Sequence, residues 1–237
     1  MSSRVELNGF FGRLDRFQAL RKAEQRRVFG GGLRRICRQL PRLRQHAMEY
    51  EAKTSPKFNV YRILRLERKE VLVHTPMLAE LLNPVGAHGQ GFLFLKSFLQ
   101  ILEGCGLNPP AREPEQYRWF VEIQKPIGSH GNLDVLITCP ELGYAVAIEN
   151  KIGAGEQPDQ LWRYWSWLRK HERRFPRQHL IFLTPEGRQA ATARRAVYAT
   201  LSYHTDIQSW LTDTLPQVKS SAVRETVNQY LQIIKNC

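Results

Sequence analysis

Two acidic residues and one lysine are the side chains most suited to chemistry in the stretch 132–164. Glu149 and Lys151 are two positions apart in an apolar, strand-forming segment, and residues two apart on a strand point to the same face. Asp134 lies in the preceding apolar segment, and an antiparallel hairpin across residues 140–143 would bring it opposite Glu149. The pattern therefore predicts two carboxylates and one ammonium around a single point.

These three groups suit phosphodiester hydrolysis. Two close carboxylates repel each other unless a cation lies between them, and such hard oxygen ligands suit Mg²⁺ or Mn²⁺. A divalent ion polarises a phosphoryl oxygen and lowers the pKa of a water, and Lys151 could stand beside that water or the transition-state charge. The alternative is a strand-end ion pair, in which Glu149 pairs with Lys151 or a neighbouring arginine on an exposed face. The apolar run 145–148 favours a central strand and hence the first interpretation.

The elements that would position these groups can be read from hydrophobic periodicity and turn residues. Helices are predicted upstream over 59–82 and 92–102, followed by three strands in a meander over 117–124, 133–139 and 145–151. Next come a helix over 157–170, strands over 180–183 and 197–203, and helices over 205–215 and 222–235. This order predicts an α/β layered domain.

Positive charge is concentrated at the start of the chain. The protein carries 35 Lys and Arg against 22 Asp and Glu, a net charge of +13, and residues 1–50 hold twelve of the basic residues and four of the acidic ones. Leu14, Phe17 and Leu20 have helical spacing, three glycines at 30–32 form a hinge, and a second helix is predicted over 33–48. We therefore expect a basic helical arm over residues 1–50 and a second domain over 51–237.

The arm is expected to bind nucleic acid, because arginine forks suit phosphate and release counterions from the backbone. Other interpretations are an acidic protein partner, an anionic lipid surface, or a solvated face that only aids solubility. Beyond the arm, three tryptophans at 162, 165 and 167 lie beside Arg163 and could stack bases of a single strand, although core packing explains at least two of them. The candidate nucleic-acid contacts are Arg26, Arg27, Arg34, Arg35, Arg38 and Arg163.

Several classes of protein are disfavoured. The four cysteines are scattered without a CxxC pair, which argues against a structural zinc site or a disulfide framework. No apolar run approaches the ~20 residues of a membrane span, and the N-terminus lacks an apolar signal-peptide region, so a cytoplasmic protein is expected. The glycines do not form a nucleotide-binding loop, and Ser202 lacks the turn of a serine hydrolase.

The stretch from Asp134 to Tyr164 resembles the PD-(D/E)XK nuclease superfamily, which places an Asp on one strand, an E-x-K on the next and a helix after it. Here the second motif is Glu149-Asn150-Lys151, and Leu133 stands where the nominal motif has proline. Gln160-Leu161-Trp162-Arg163-Tyr164 is similar to the Q-x-x-x-Y motif of the RecB-like branch. The segments 58–99, 181–187 and 201–211 and the closing helix resemble a bacterial family of this superfamily, so that the resemblance covers roughly residues 59–235.

The resemblance implies an α/β fold with a restriction-endonuclease-like core. This core is a central mixed β-sheet flanked by helices in αβββαβ order, to which this chain adds the N-terminal helical arm. It also implies a Mg²⁺-dependent (or Mn²⁺-dependent) nuclease that hydrolyses phosphodiester bonds of nucleic acid, with DNA preferred to RNA. Defence against foreign DNA is a role expected from the same resemblance, and a homodimer or a partner subunit is compatible with it.

Site residues are carried over from the resemblance position by position. Asp134 and Glu149 would be metal ligands, with the backbone carbonyl of Asn150 as a third, and Lys151 would orient or deprotonate the water or stabilise the pentavalent charge. Gln160 and Tyr164 would brace the triad or contact a phosphate, whereas core packing alone is the other explanation of Tyr164. Glu70 would be an accessory metal ligand or, alternatively, a solvated acid on a helix.

Three further residues have side chains of types that can bind metal ions. His74 and His88 are expected to be structural, because a hard-cation site does not require imidazole. Glu122 could be a further ligand, but pairing with an arginine is favoured. A second rival function for the whole chain is an enzyme that acts on another phosphodiester, such as a nucleotide second messenger. The first rival is a catalytically inactive nuclease-fold module that binds nucleic acid or an acidic protein partner. The intact set of Asp134, Glu149 and Lys151 argues against it.

Overall fold

The structure of the protein is a computed structural model that describes residues 16–24, 38–109, 113–235 and 237. The chain divides into two compact units, Met1–Phe58 and Asn59–Cys237. In the first unit, residues 16–24 and 38–54 are helical and every described side chain is exposed, including that of Arg38. The predicted contacts at Arg26, Arg27, Arg34 and Arg35 and the hinge at 30–32 lie outside the described residues. The division of the sequence into an arm over 1–50 and a domain over 51–237 stays a prediction.

The second unit is built on a five-stranded mixed sheet in which sequence neighbours are also spatial neighbours. Strands β1 to β3 are antiparallel, while β3, β4 and β5 run parallel to one another. The turn between β2 and β3 closes at Gly143, which has a φ of 56°, a left-handed conformation that favours glycine. The strands are Phe120–Pro126 (β1), Asn132–Cys139 (β2), Tyr144–Asn150 (β3), Arg177–Thr184 (β4) and Ala199–Ser202 (β5).

Helices cover both faces of this sheet. A π-helical turn, Glu70–His74, leads directly into α2, and a second one, Tyr203–Ile207, leads into α5. The parallel pair β3 and β4 requires a crossover, and α4 supplies it. The helices are Val60–Ile63 (α1), Thr75–Leu82 (α2), Leu93–Gly104 (α3), Gln160–Lys170 (α4), Gln208–Thr214 (α5) and Ser221–Ile234 (α6).

The continuous helix predicted over 59–82 was wrong. The chain turns after α1, where Arg65 takes a left-handed φ of 56°, and helical structure resumes only at Glu70. The apolar periodicity across this region reflects two packed pieces joined by a turn, because Leu66 still packs against the core although it lies outside any helix. The predicted order of the other elements agrees with the structure, and their ends shift by a few residues.

Each face of the sheet contributes to its own apolar core. One core packs α2, α3, α5 and α6 against one face, and it includes Val135 and Ile148. The other core lies beneath α4 and includes Leu136 and Ala147. Strand β3 is buried at every position, as expected for the centre of a sheet covered on both faces. Among the described residues, no helix combines the length and the apolar character needed to cross a membrane.

Candidate active site

The three residues predicted to act together do lie together, at the end of β3 and beside it on β2. Val135 pairs with Ile148, so Asp134 and Glu149 are the next residues out along these antiparallel strands. Because side chains alternate along a strand, Asp134 shares the face of Leu136, and Glu149 shares that of Ala147. Both acids therefore point to the α4 side of the sheet.

Asp134 is held by two hydrogen bonds. The side-chain amide of Gln124 donates to Oδ1 at 2.7 Å, and the backbone N–H of Asn150 donates to Oδ2 at 2.8 Å. Burial raises the pKa of Asp134 in spite of these donors, since its side chain is largely removed from water. The carboxyl group is thus fixed in orientation by one neighbouring strand on each side.

Glu149 is the most deeply buried acid of the site, with 1% of its surface exposed. Neither of its carboxyl oxygens accepts a hydrogen bond from any described residue. Lys151 Nζ lies 2.9 Å from Glu149 Oε1, which is a close ion pair without hydrogen-bonding geometry. Burial, reinforced by the negative charge of Asp134, raises the pKa of Glu149 to about 8.

Lys151 is buried between two carboxylates. Its backbone N–H donates to the Leu183 carbonyl of β4 at 2.9 Å, which keeps the chain extended beyond the end of β3. Its ammonium lies 2.9 Å from Glu149 Oε1 and 3.3 Å from Glu70 Oε1. Burial alone would lower the pKa of a lysine, but these carboxylates outweigh it and raise the pKa of Lys151 above its ordinary value.

Glu70 reaches the site from the π-helical turn before α2. Its Oε1 faces Lys151, and its Oε2 accepts a hydrogen bond of 2.8 Å from the backbone N–H of Ile152. Its side chain is about as buried as that of Lys151, with 10% and 9% exposed respectively. The interpretation of Glu70 as a solvated acid was therefore wrong, and in the structure it fixes the lysine and the chain immediately after it.

Asn150 points to the opposite face and belongs to a buried polar network. Its Nδ2 donates to Thr75 Oγ1 at 3.1 Å, and the Tyr203 hydroxyl donates to its Oδ1 at 2.9 Å. Both polar atoms of the side-chain amide are therefore already hydrogen-bonded. The predicted metal ligand of Asn150 is a different group, its backbone carbonyl. His74 lies next to the network, where Nε2 hydrogen-bonds the Glu67 carbonyl and Nδ1 the Tyr230 hydroxyl.

Gln160 and Tyr164 occupy one face of α4 above the start of β2. Gln160 Nε2 donates to the Tyr164 hydroxyl at 3.0 Å, and that hydroxyl donates to the Asn132 carbonyl at 2.5 Å. Asn132 lies two residues before Asp134, so this chain of bonds fixes the strand that carries the acid. Burial raises the pKa of Tyr164 to about 12, which keeps the hydroxyl protonated as a donor.

The remaining sequence candidates fall in different places. Glu122 pairs with Lys125 at 2.6 Å, and its predicted arginine partner was wrong. Arg163 donates to Gln157 Oε1 at 3.0 Å, on the loop that leads from β3 to α4. Trp165 and Trp167 pack against the core beneath α4, as expected for two of the three tryptophans. Trp162 stacks on Trp165, with ring centroids 5.0 Å apart.

Gln124 is a site residue that the sequence analysis missed. It lies opposite Asp134, between the pairs Ile123–Val135 and Lys125–Leu133, and takes a left-handed φ of 46°. That conformation costs a non-glycine residue roughly 1–2 kcal/mol and gathers at functional sites. The residue type alone does not indicate that Gln124 donates a hydrogen bond to Asp134. Only its position opposite Asp134 on the neighbouring strand could have indicated this contact.

The donor set fits a hard divalent cation. Two carboxylates are enough protein ligands for Mg²⁺, which keeps several waters and binds phosphate oxygens. Neither Glu149 oxygen accepts a hydrogen bond from a described residue, although Lys151 Nζ lies 2.9 Å from Oε1, and such an ion would satisfy both oxygens. Among the described residues, no cluster of three or more His, Cys, Asp and Glu side chains could hold a metal ion, so a backbone carbonyl or water would complete the ligand set.

A mixed sheet with a buried carboxylate pair and a lysine at the end of its central strand defines an α/β domain of the nuclease type. The family model described as the PD-(D/E)XK nuclease superfamily matches residues 58–234, and the chain belongs to that superfamily. No curated protein and no solved structure matches the chain. The assignment to the RecB-like branch and its Q-x-x-x-Y motif stays a prediction.

Proposed function

We propose that this protein is a metal-dependent nuclease that hydrolyses phosphodiester bonds of DNA, with Mg²⁺ or Mn²⁺ as its cofactor. The observation that carries the proposal is the carboxylate of Glu149, buried next to Asp134, in which neither oxygen accepts a hydrogen bond from a described residue while the Lys151 ammonium lies 2.9 Å from Oε1. Buried polar atoms without partners are rare in native proteins and costly to maintain, and a bound cation would satisfy these two. Membership of the superfamily supports the same conclusion.

Asp134 and Glu149 would hold the ion, with the backbone carbonyl of Asn150 as a third ligand. The bound ion would polarise a phosphoryl oxygen and lower the pKa of a water, which is the chemistry that phosphodiester hydrolysis requires. The fixed orientation of Asp134, set by Gln124 and the Asn150 N–H, supports this role because ligands held in advance lose little freedom on binding.

Lys151 would orient the attacking water and offset the negative charge that develops on the phosphorus oxygens. Glu70 is then a positioning residue, because it holds the Lys151 ammonium with one oxygen and the Ile152 N–H with the other. Gln160 and Tyr164 brace the strand of Asp134 through the Asn132 carbonyl. The direct phosphate contact weighed for this pair is the less supported role, since their polar atoms are already hydrogen-bonded.

The substrate preference rests on charge and on the superfamily. A net charge of +13 favours a polyanion, and the basic residues of the first fifty positions would contact the phosphate backbone. Among the described candidates, Arg38 is exposed on the helix 38–54, and Arg163 lies on α4 one residue before Tyr164. A role in defence against foreign DNA is an expectation that the resemblance alone carries.

A second candidate function is a nucleic-acid-binding module without activity. One observation favours it: the ammonium of Lys151 already lies between Glu149 and Glu70, so the cluster could serve as a buried ion-pair network. The two functions differ in whether DNA is cut when metal is present, since only the nuclease would cut it. Binding by an inactive module would proceed without metal and would be insensitive to Glu149→Ala.

The decisive experiment uses circular single-stranded DNA, supercoiled duplex DNA and a circular RNA, each in Mg²⁺, Mn²⁺ or EDTA. Cutting of a DNA circle that needs metal and falls by about 10²–10³-fold or more in Glu149→Ala and Lys151→Ala supports the proposal. Lys125→Ala is the matched control, because it removes a lysine from a half-exposed ion pair on β1. Binding of DNA without cutting in any metal would favour the inactive module, and cutting of RNA alone would overturn the DNA preference.

The basic arm makes a separate prediction. Deleting residues 1–50 removes twelve basic and four acidic residues, so we expect weaker DNA binding and a smaller dependence of affinity on salt. Affinities measured for both proteins from 50 to 200 mM salt give the two slopes. Equal slopes would show that the arm does not contact the phosphate backbone.

A further inference from the structure

Two loops next to the candidate active site are connected by two acidic residues. Each set of contacts that such a residue makes across the loops is called a tie. The first, the β3–α4 loop, comprises residues 151–159 and begins with Lys151. The second, the β4–β5 loop, comprises residues 185–198 and packs its alanines 190, 193 and 196 against the core beneath α4. Both loops therefore lie on the α4 side of the sheet, to which Asp134 and Glu149 also point.

Glu156 makes the first tie. Its Oε1 forms an ion pair with Arg188 and accepts the Ala191 N–H at 3.1 Å. Its Oε2 accepts both the N–H and the hydroxyl of Thr192, each at 2.9 Å. Burial by itself would raise the pKa of Glu156, but Arg188 and these donors together lower it to about 2, so the carboxylate stays ionised.

Asp159 makes the second tie, an ion pair with the Nε of Arg194. Asp159 is the N-cap residue of α4, yet its side chain makes no capping hydrogen bond to the helix. Both partners also take left-handed backbone conformations, with φ values of 55° and 52°. The missing N-cap hydrogen bond and the two left-handed non-glycine residues each lower the stability of the fold. Backbone conformations of this kind are found most often at functional sites.

The two ties use two of the three arginines of the β4–β5 loop. Arg188 faces Glu156, and Arg194 faces Asp159. Arg195 is exposed and makes no hydrogen bond or ion pair to any residue that the structure describes. The fixed loop thus presents one guanidinium that has no partner in the described part of the chain, and its planar fork matches a phosphate group.

We propose that Glu156 and Asp159 fix the two loops to each other, and we call these two ties the latch. The latch positions Arg195 to contact a backbone phosphate of the substrate. This proposal rests on the proposed nuclease function. Arg195 is the binding residue, and Glu156, Asp159 and Arg194 are positioning residues. The latch also fixes the chain that follows Lys151, so the phosphate contact and the candidate active site share one support.

The test compares four single variants of the full chain. Arg195→Ala removes the phosphate contact, and Arg173→Ala is its matched control, an exposed arginine beyond the other end of α4. Asp159→Asn removes the charge of the latch but keeps a residue that caps helices and tolerates left-handed backbone. Arg194→Gly removes the guanidinium and relieves the left-handed strain.

Duplex DNA binding is measured in EDTA across a salt series, and KM and kcat are measured with metal. For Arg195→Ala we expect about tenfold weaker binding, a salt slope smaller by about one, a raised KM and a kcat within about twofold. Arg194→Gly is expected to raise Tm by about 2–4 °C while it raises KM, and Asp159→Asn to raise KM at nearly unchanged Tm.

Two results would overturn the inference. One is binding by Arg195→Ala that equals binding by Arg173→Ala. The other is an unchanged KM in both Arg194→Gly and Asp159→Asn, whatever happens to Tm. Because binding in EDTA does not require cutting, a wild-type protein that binds but never cuts would contradict the proposed nuclease activity, while the four variants would still decide the phosphate contact.

Discussion

At the end of β3, the buried polar groups on the two faces of the strand differ in how far their hydrogen bonds are satisfied. On one face the Asn150 amide has a partner for both its nitrogen and its oxygen, namely Thr75 and Tyr203. On the other face, one residue earlier, neither carboxyl oxygen of Glu149 accepts a hydrogen bond from a described residue, and the Lys151 ammonium forms an ion pair with Oε1 at 2.9 Å. Both residues are almost completely buried, so exposure does not explain the contrast.

Under the proposed function, the difference separates a structural polar cluster from one that binds a metal ion. A fully paired network adds specificity and some stability to the core, because none of its members loses hydrogen bonds on leaving water. A buried carboxylate without hydrogen-bond donors costs free energy in the isolated protein even beside an ammonium, and that cost is recovered when a bound ligand satisfies its oxygens. The Asn150 face is therefore expected to matter for folding and the Glu149 face for binding, which the following changes examine.

The largest expected effect on stability is a pH dependence caused by Glu149. Its pKa of about 8 in the folded protein lies above the ordinary value of 4.5, so the folded state binds more protons than the unfolded chain between these values. Stability in EDTA should therefore fall as pH rises from about 4.5 to 8 and then level off. Glu149→Gln mimics the protonated acid and should remove this loss, which is of the order of a few kcal/mol.

Thermal unfolding in EDTA at pH 5 and pH 9 measures the effect. We expect Glu149→Gln to exceed the wild type in Tm by roughly 5–10 °C at pH 9 and to match it at pH 5. Saturating Mg²⁺ or Mn²⁺ should stabilise the wild type and not the variant. A variant that is less stable than the wild type at pH 9 would show that the ion pair with Lys151 is enough to stabilise the buried Glu149 carboxylate.

Tyr203→Phe tests the opposite face of the strand. The substitution leaves the Asn150 Oδ1 without its donor inside the core, which costs about 1–3 kcal/mol and lowers Tm by roughly 2–12 °C. The specific activity of the folded variant should stay within about twofold at 25 °C. Tyr117→Phe is the matched control, because the Tyr117 hydroxyl makes no hydrogen bond to a described residue. Equal stability of the two variants would contradict the structural role of the network.

The smallest expected effect is an acid-side loss of stability from His74. Burial lowers the pKa of His74 below its ordinary value of 6.5, so the unfolded chain binds a proton more readily and stability falls as pH drops through this range. His74→Gln keeps one donor and one acceptor for Glu67 and Tyr230, so we expect it to reduce the loss of stability at low pH. Replacement of the exposed His46 by Gln serves as the control, and Tm measured as a function of pH gives the loss for each protein. An unchanged loss of stability at low pH in His74→Gln would assign it to other groups.

The sequence was most informative where the determinants are local. The catalytic candidates on β2 and β3 could be predicted because a short hairpin and the alternation of side chains fix which residues face each other. Gln124 could not, because its contribution depends on a left-handed backbone that its residue type does not reveal. The break after α1 was missed for the same reason, since Arg65 carries no turn signal.

Contacts between residues that are far apart in the sequence could not be predicted from it either. The resemblance brought Glu70 to the site, but its partners Lys151 and Ile152 are 81 and 82 residues away and no pattern in the sequence joins them. The π-helical turn Glu70–His74 also departs from α-helical periodicity, because its i→i+5 hydrogen bonds enclose one more residue than those of an α-helix. The two loop ties at Glu156 and Asp159 depend on pairing across 30 or more residues and were invisible for the same reason.

The long reach of Glu70 sets an order of assembly for the site. Asp134 and Glu149 belong to one hairpin and can meet early in folding, whereas the contacts of Glu70 close a loop of about 80 residues and form late. We expect pulse-labelled hydrogen exchange during refolding to protect β2 and β3 amides before that of Ile152. Lys151 would then take its final position only in the last step, so a partly folded chain would already carry its acids but would not yet cut nucleic acid.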